Sequence, residues 1–114
     1  MHLSEETWRK NGVRDNTDIH FYTSGPSMFP VKKYSDALNT ITQDKNIKQH
    51  FSHLIKSVDA RSQTATFKNT VTDEMVTTDF DILHLTPPQT THKCIRESPL
   101  AAASGMIDVD ASTL

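Results

Sequence analysis

Around Asn46 the hydrophobic period of the chain changes, and that change restricts the fold to one that mixes helix and strand. Upstream, Val31, Tyr34, Leu38 and Ile41 recur at steps of three and four residues. The spacing predicts an amphipathic helix from Val31 to about Lys45, with Pro30 near its first turn and this apolar stripe buried. Before it, Asp18 to Thr23 (DIHFYT) alternates and is rich in aromatics, which reads as a strand broken by Ser24-Gly25-Pro26-Ser27. Downstream, Ile47 to Asp59 holds one or two short strands, Thr64 to Lys68 a third and Met75 to Thr78 a fourth, antiparallel and linked by hairpins. Asp79 to Leu85 (DFDILHL) is apolar through Ile82, Leu83 and Leu85, and suits a strand covered on both faces that returns to a central sheet before Pro87-Pro88 ends it. The order suits an α/β layer with an antiparallel strand excursion.

The flanks are less regular. Leu3 to Asn11 suits a helix with Ser4 as N-cap, Glu5 and Glu6 near its positive end and Gly12 at its stop. Gln89 to Pro99 is polar and irregular, Leu100 to Ala103 suits one helical turn stopped by Gly105, and Met106 to Val109 a last short strand. With 114 residues, 35% apolar and 7% aromatic, the chain has material for one thin core. Because ordering each residue costs roughly 1–2 kcal/mol of backbone entropy, stability in isolation is expected to be marginal. Starting on a helix and ending on DASTL leaves sheet edges and a helix face uncovered, so the sequence is expected to be a piece of a longer one.

Several function classes lose support from composition. A formal charge of -2 offers no clustered basic face for nucleic acid. Cys94 is the single cysteine, so an internal disulfide is impossible and a reducing compartment fits. No apolar run reaches the ~20 residues that span a bilayer, and MHLSEETWRKNG lacks the character of a signal or transit peptide. His50 and His53, if on one strand, point to opposite faces, and no metal site is expected there. Cys94 with His92, Lys93 and Arg96 nearby invites a nucleophile-and-base reading, against which stands a loop cysteine without a role. Asp79 and Asp81 share a strand face but read better as solvated edge residues than as an acid/base pair. Neither G-x-G-x-x-G, a P-loop nor G-x-S-x-G occurs. From its residues alone the chain discloses no function.

Three stretches change that: FYTSGPSMFPVKKYSDALN (Phe21 to Asn39), DFDILHLTPPQ (Asp79 to Gln89) and SPLAAASGMIDVDASTL (Ser98 to Leu114). In combination, MF-x-VKKY-x-DAL, LH-x-TPP and SPLA-x-x-x-G-x-x-DVD resemble the sulfide:quinone oxidoreductases of mitochondria and related bacteria. The likeness extends over nearly the whole chain, including LSEETWRK. It implies an incomplete Rossmann-like second domain of a two-dinucleotide-binding-domain flavoprotein over residues 1–88. Residues 89–114 would then form a loop and short strand returning toward the FAD domain.

The resemblance also implies an activity: hydrogen sulfide is oxidised, a cysteine pair carries its sulfur as a persulfide toward a sulfur acceptor, and electrons pass through FAD to a membrane quinone. It implies a mitochondrial enzyme, peripheral on the inner membrane, whose membrane contact lies in segments outside this chain. The glycine-rich FAD fingerprint would precede Met1 and a Gly-Asp flavin segment would follow Leu114. The family's reactive cysteines would lie on either side as well, so Cys94 matches neither and no catalytic residue is expected here. Pro30 departs from the family's usual Gly, which a first helical turn tolerates. Thr86, Pro87 and Pro88 are expected at a strand's carboxyl end as a flavin-side wall, a plain strand stop being the alternative. The segment alone is expected to be inactive. Two rivals stand beside it: a truncated, non-catalytic relative acting as an interaction module, and an NADH-using flavoprotein, against which the TPP ending argues.

Overall fold

The structure, a computed structural model, describes every residue except Pro88, Asp108, Ala111, Thr113 and Leu114. The chain divides into two units, Met1–Asp81 and Ile82–Leu114.

The first unit opens on α1 (His2–Lys10). Ser4 does not cap it: the N-cap is Met1, three residues earlier, where the Glu5 amide donates to the Met1 carbonyl at 3.0 Å. The other end stops as expected. Gly12 takes φ +70°, its amide donates to the Arg9 carbonyl at 3.1 Å, and the Val13 amide reaches the Trp8 carbonyl at 3.0 Å. These two bonds are the Schellman closure that a left-handed residue makes possible.

A 3₁₀ turn (Arg14–Asn16) leads into β1 (Ile19–Tyr22), then α2 (Lys32–Asp44) and β2 (Ile47–His50). β1 and β2 pair in parallel, Ile19 opposite Ile47 through Tyr22 opposite His50. A parallel pair needs a crossover connection, and α2 supplies it. Ile19 and Ile47, adjacent in the ladder, are buried.

The buried face of α2 is not the predicted one. Val31, Tyr34 and Ile41 are 51%, 58% and 42% exposed, while Ser35 and Thr42, seven residues apart, are buried. Thr42 can be buried because its hydroxyl is satisfied at home: it donates to the Leu38 carbonyl at 2.8 Å and accepts from the Gln49 side chain of β2. Leu38, the fourth member of the predicted stripe, is half-buried.

β3 (His53–Asp59), β4 (Thr64–Asn69) and β5 (Met75–Asp79) form an antiparallel sheet in that order. Its apolar face is set by register: Phe67 stands opposite Ile55 and Val76, and Ala65 opposite Val58 and Thr78. Phe67 and Ala65 are buried. The hairpins are shaped by side chains that stand in for backbone acceptors. Asp59 accepts from the amides of Arg61 (2.8 Å) and Ser62 (3.3 Å), and Asn69 from those of Val71 (2.9 Å) and Thr72 (3.1 Å).

The expected strand DFDILHL does not form. β5 ends at Asp79, the Phe80 amide turns to the Gln63 carbonyl at 2.9 Å, and Ile82 and Leu85 are exposed. A strand covered on both faces needs neighbours to receive it, and no described strand pairs with this stretch.

In the second unit the helical turn lies earlier than expected, at α3 (Lys93–Arg96) inside the polar stretch. Leu100 to Ala103 is instead one arm of a tight turn: Ala101 bridges Ile107, the Ala102 amide donates to the Met106 carbonyl at 2.8 Å, and Gly105 turns the chain at φ +80°. The last strand expected at Met106–Val109 is reduced to that bridge at Ile107, and its Asp108 lies outside the described residues. No helix among the described residues is long and apolar enough to cross a membrane.

Candidate functional site

In open parallel sheets, ligand sites gather beyond the carboxyl ends of the strands. Tyr22 and His50 are the last residues of β1 and β2, paired in register, with ring centroids 4.2 Å apart and planes 9° from parallel. His20 lies beside His50, its ring near-parallel with centroids 5.1 Å apart and its Nδ1 3.0 Å from His50 Nε2, and it stands 6.2 Å from the Tyr22 ring. The opposite nitrogen of His20 faces Asp18 Oδ2 at 3.3 Å, a carboxylate that Lys48 Nζ also holds. His53 stands edge-on to Tyr22 and His50, at 5.7 and 6.0 Å.

Electrostatics follows from these neighbours. The Lys48 ammonium and then His20 hold the Asp18 carboxyl below the usual carboxylate range. Burial first, then the positive charges possible on His20, His53 and Lys48, lowers the proton affinity of His50. Burial raises the Tyr22 phenol, opposed by a hydrogen bond with the Thr78 side chain.

His50 and His53 are therefore not two faces of one strand. Phe51-Ser52 divides the strands, with Ser52 at φ +57°, and the turn brings the two rings together. His20 and Tyr22 escaped sequence reasoning, although their spacing of two in DIHFYT places both on one face of the strand.

The loop after β1 is where a dinucleotide cradle would sit in a β-α-β unit. Here it is a turn pinned to the neighbouring strand connection. The Thr23 amide donates to the His50 carbonyl (3.0 Å), the Ser52 amide to the Gly25 carbonyl (2.9 Å) and the His53 amide to the Thr23 carbonyl (2.9 Å). The Gly25 amide is taken by Thr23 Oγ1 at 3.3 Å. A Cβ built on Gly25 would meet only ordinary contacts at 3.7 Å, so nothing in the loop demands a glycine for close backbone approach. The residues present do not fit the pyrophosphate of FAD.

A second polar cluster lies at the other end of the unit. Glu5, 1% exposed, accepts from Arg9 Nε at 2.9 Å and pairs with Lys45 Nζ at 2.8 Å. Arg14 caps the end of α2 by donating to the carbonyls of Lys45 (2.6 Å) and Asn46 (2.9 Å). The Lys45 and Arg9 side chains hold the Glu5 carboxyl below its ordinary value. This arrangement fastens α1 to the end of α2.

The predicted site residues fare differently. Thr86 and Pro87 are exposed and follow an irregular stretch rather than a strand end, and Pro88 lies outside the described residues. Cys94 is exposed on α3, and His92 serves as that helix's N-cap through its backbone carbonyl. Asp79 closes β5 and Asp81 lies beyond it, so they share no strand face. Among the described residues, no three His, Cys, Asp or Glu side chains are grouped to hold a metal ion.

Comparison with known proteins supplies the relatives. Mitochondrial sulfide:quinone oxidoreductases of Dictyostelium discoideum, Schizosaccharomyces pombe and Mus musculus are 36%, 37% and 35% identical to the chain over 113, 115 and 117 residues. The chain is a homologue of the sulfide:quinone oxidoreductases. The aligned residues cover 98–100% of the chain but 25–26% of each relative, so it spans about a quarter of their length. No family model matches the chain. Among solved structures, the sulfide:quinone oxidoreductase of Aquifex aeolicus superposes with a TM-score of 0.58 at 13% identity, over 65% of this chain and 18% of that one. A chain of the Tetrahymena thermophila mitochondrial ATP synthase superposes with a TM-score of 0.71 at 17% identity, over 92% and 26%. At such identities the two structures speak for a shared mixed α/β fold alone.

Proposed function

We propose that this chain is part of a mitochondrial sulfide:quinone oxidoreductase whose full-length form oxidises hydrogen sulfide and passes the electrons through FAD to a membrane quinone. The observation that carries the reading is identity of 35–37% sustained along the whole chain with a quarter of each of three such enzymes. Residues 1–88 are assigned to an incomplete second, Rossmann-like domain, and residues 89–114 to the return toward the FAD domain. The parallel β1-α2-β2 unit followed by the antiparallel β3-β4-β5 sheet supports that assignment. Thr86-Pro87-Pro88, matched to the family only through its TPP phrase, is assigned to a wall on the flavin side.

The chemistry belongs to the rest of the enzyme. A persulfide relay needs two cysteines and the chain has Cys94 alone. A dinucleotide site needs a backbone cradle, and the amide of Gly25 and the carbonyls of Thr23 and Gly25 in the β1-α2 loop are already paired. The sulfur acceptor, the quinone and the peripheral inner-membrane contact are likewise assigned to the whole enzyme. One observation favours a second reading, an interaction module: the exposed Val31, Tyr34 and Ile41 stripe gives α2 an apolar face for a partner. An FAD titration of the isolated chain followed by flavin fluorescence is expected to show no saturable binding. Binding with even micromolar affinity would overturn the assignment of the cofactor site to other parts of the enzyme.

A further inference from the structure

We propose that His20 and His50, side by side across the parallel pair and joined through a single N–H, form an acid-sensitive clasp. It holds the carboxyl ends of β1 and β2 against the antiparallel sheet and opens when both imidazoles are protonated.

The geometry allows the bond only one proton. His20 Nδ1 and His50 Nε2 are 3.0 Å apart, so one must donate and the other accept. A neutral pair satisfies this, and so does a pair with one charge on His20, because the second N–H of that ring then points at Asp18 Oδ2, 3.3 Å away. With His20 already charged, adding a proton to His50 sets two donors against each other and two cations side by side with ring centroids 5.1 Å apart. The surroundings do not absorb the second charge. Facing the pair are Asp18 just before β1, Tyr22 from β1, Lys48 from β2 and His53 from β3. Asp18 is the one anion of that set and Lys48 already engages it.

The clasp has a mechanical reach. His50, Tyr22 and Phe67 form a continuous stack, with centroid separations of 4.2 and 4.0 Å, and His20 is joined edgewise to its end at His50. Phe67 belongs to the apolar face of the antiparallel sheet, so displacing His50 frees the ring that joins the two sheets. The direction in pH is fixed by linkage. His50 binds its proton less readily folded than unfolded, so the stabilisation is complete above the ordinary histidine value of about 6.5 and is lost progressively as the pH falls below it.

The test is an NMR titration of the full 114-residue chain from about pH 8 to about pH 5, following the imidazole nitrogens and the Tyr22 ring protons. The expected result is loss of most of the stacking-induced shift of the Tyr22 ring as His50 takes up its proton below the ordinary histidine range. In His50→Gln, which keeps a hydrogen-bonding side chain without a titrating group, the Tyr22 shift is expected to stay constant over the same range. Protonation of His50 with the Tyr22 shift unmoved would overturn the proposal. The wild-type titration decides even where the variant does not fold.

Discussion

The Tyr22 ring lies on Phe67 with centroids 4.0 Å apart and planes 10° from parallel, and this stack joins the parallel pair to the antiparallel sheet. Phe67 is 5% exposed at the centre of its sheet's apolar face, opposite Ile55 and Val76. Phe67→Ala therefore removes both the core of one sheet and its seam to the other. The expected cost is about 3–5 kcal/mol, measured by urea unfolding. A cost below about 1 kcal/mol would show that the seam does not hold the unit together.

On α2 the exposed stripe and the buried face make opposite predictions. Tyr34→Ser and Ile41→Ser are expected to cost this chain less than about 1 kcal/mol, since about half of each residue is already exposed and Tyr34 packs edge-on against Phe29. Ser35→Leu overfills a buried position and is expected to cost about 1–3 kcal/mol. Reversal of that order in a denaturation series would restore the buried stripe that the periodicity suggests.

Gly12 closes α1 at φ +70° with no neighbour within 4 Å of the Cβ position. Gly12→Ala is thus a test of backbone conformation without steric crowding, with an expected loss of about 1–2 kcal/mol in thermal or urea unfolding.

The Glu5 carboxyl is held below its ordinary value chiefly by Lys45, then by Arg9. A group with a depressed folded value contributes stability that is present above its unfolded value of about 4.3 and is lost as the pH falls through the folded one. Melting temperature followed from about pH 6 down to about pH 3 should fall more steeply for the wild type than for Glu5→Gln, which starts lower. Parallel curves would remove Glu5 from the account.

The sequence makes α2 legible because Val31, Tyr34, Leu38 and Ile41 keep a helical period whichever face they end on. It hides the face because Thr42 buries its hydroxyl by bonding its own helix and Gln49, which hydropathy counts as polar. The antiparallel strands are legible from alternation. The break between β2 and β3 is not, since Ser52 takes φ +57° where glycine would have announced a turn. DFDILHL misleads for the converse reason: its apolar residues suit a covered strand, and a strand needs partners that the described residues do not supply. At the candidate site, His20 and Tyr22 were visible as alternate residues of one strand. Their meeting with His50, His53 and Phe67 depends on the parallel register and the turn at Ser52, both set by tertiary structure. Family membership was legible through the combined phrases rather than through any chemistry in them.

The central claim is that this chain supplies a non-catalytic quarter of a sulfide:quinone oxidoreductase. It is tested most directly by putting the chain in place of the matching 115 residues of the Schizosaccharomyces pombe enzyme and measuring sulfide-dependent quinone reduction. The account predicts a flavin-loaded chimera that reduces quinone when sulfide is added. A folded, flavin-loaded chimera with no sulfide-dependent quinone reduction would contradict it.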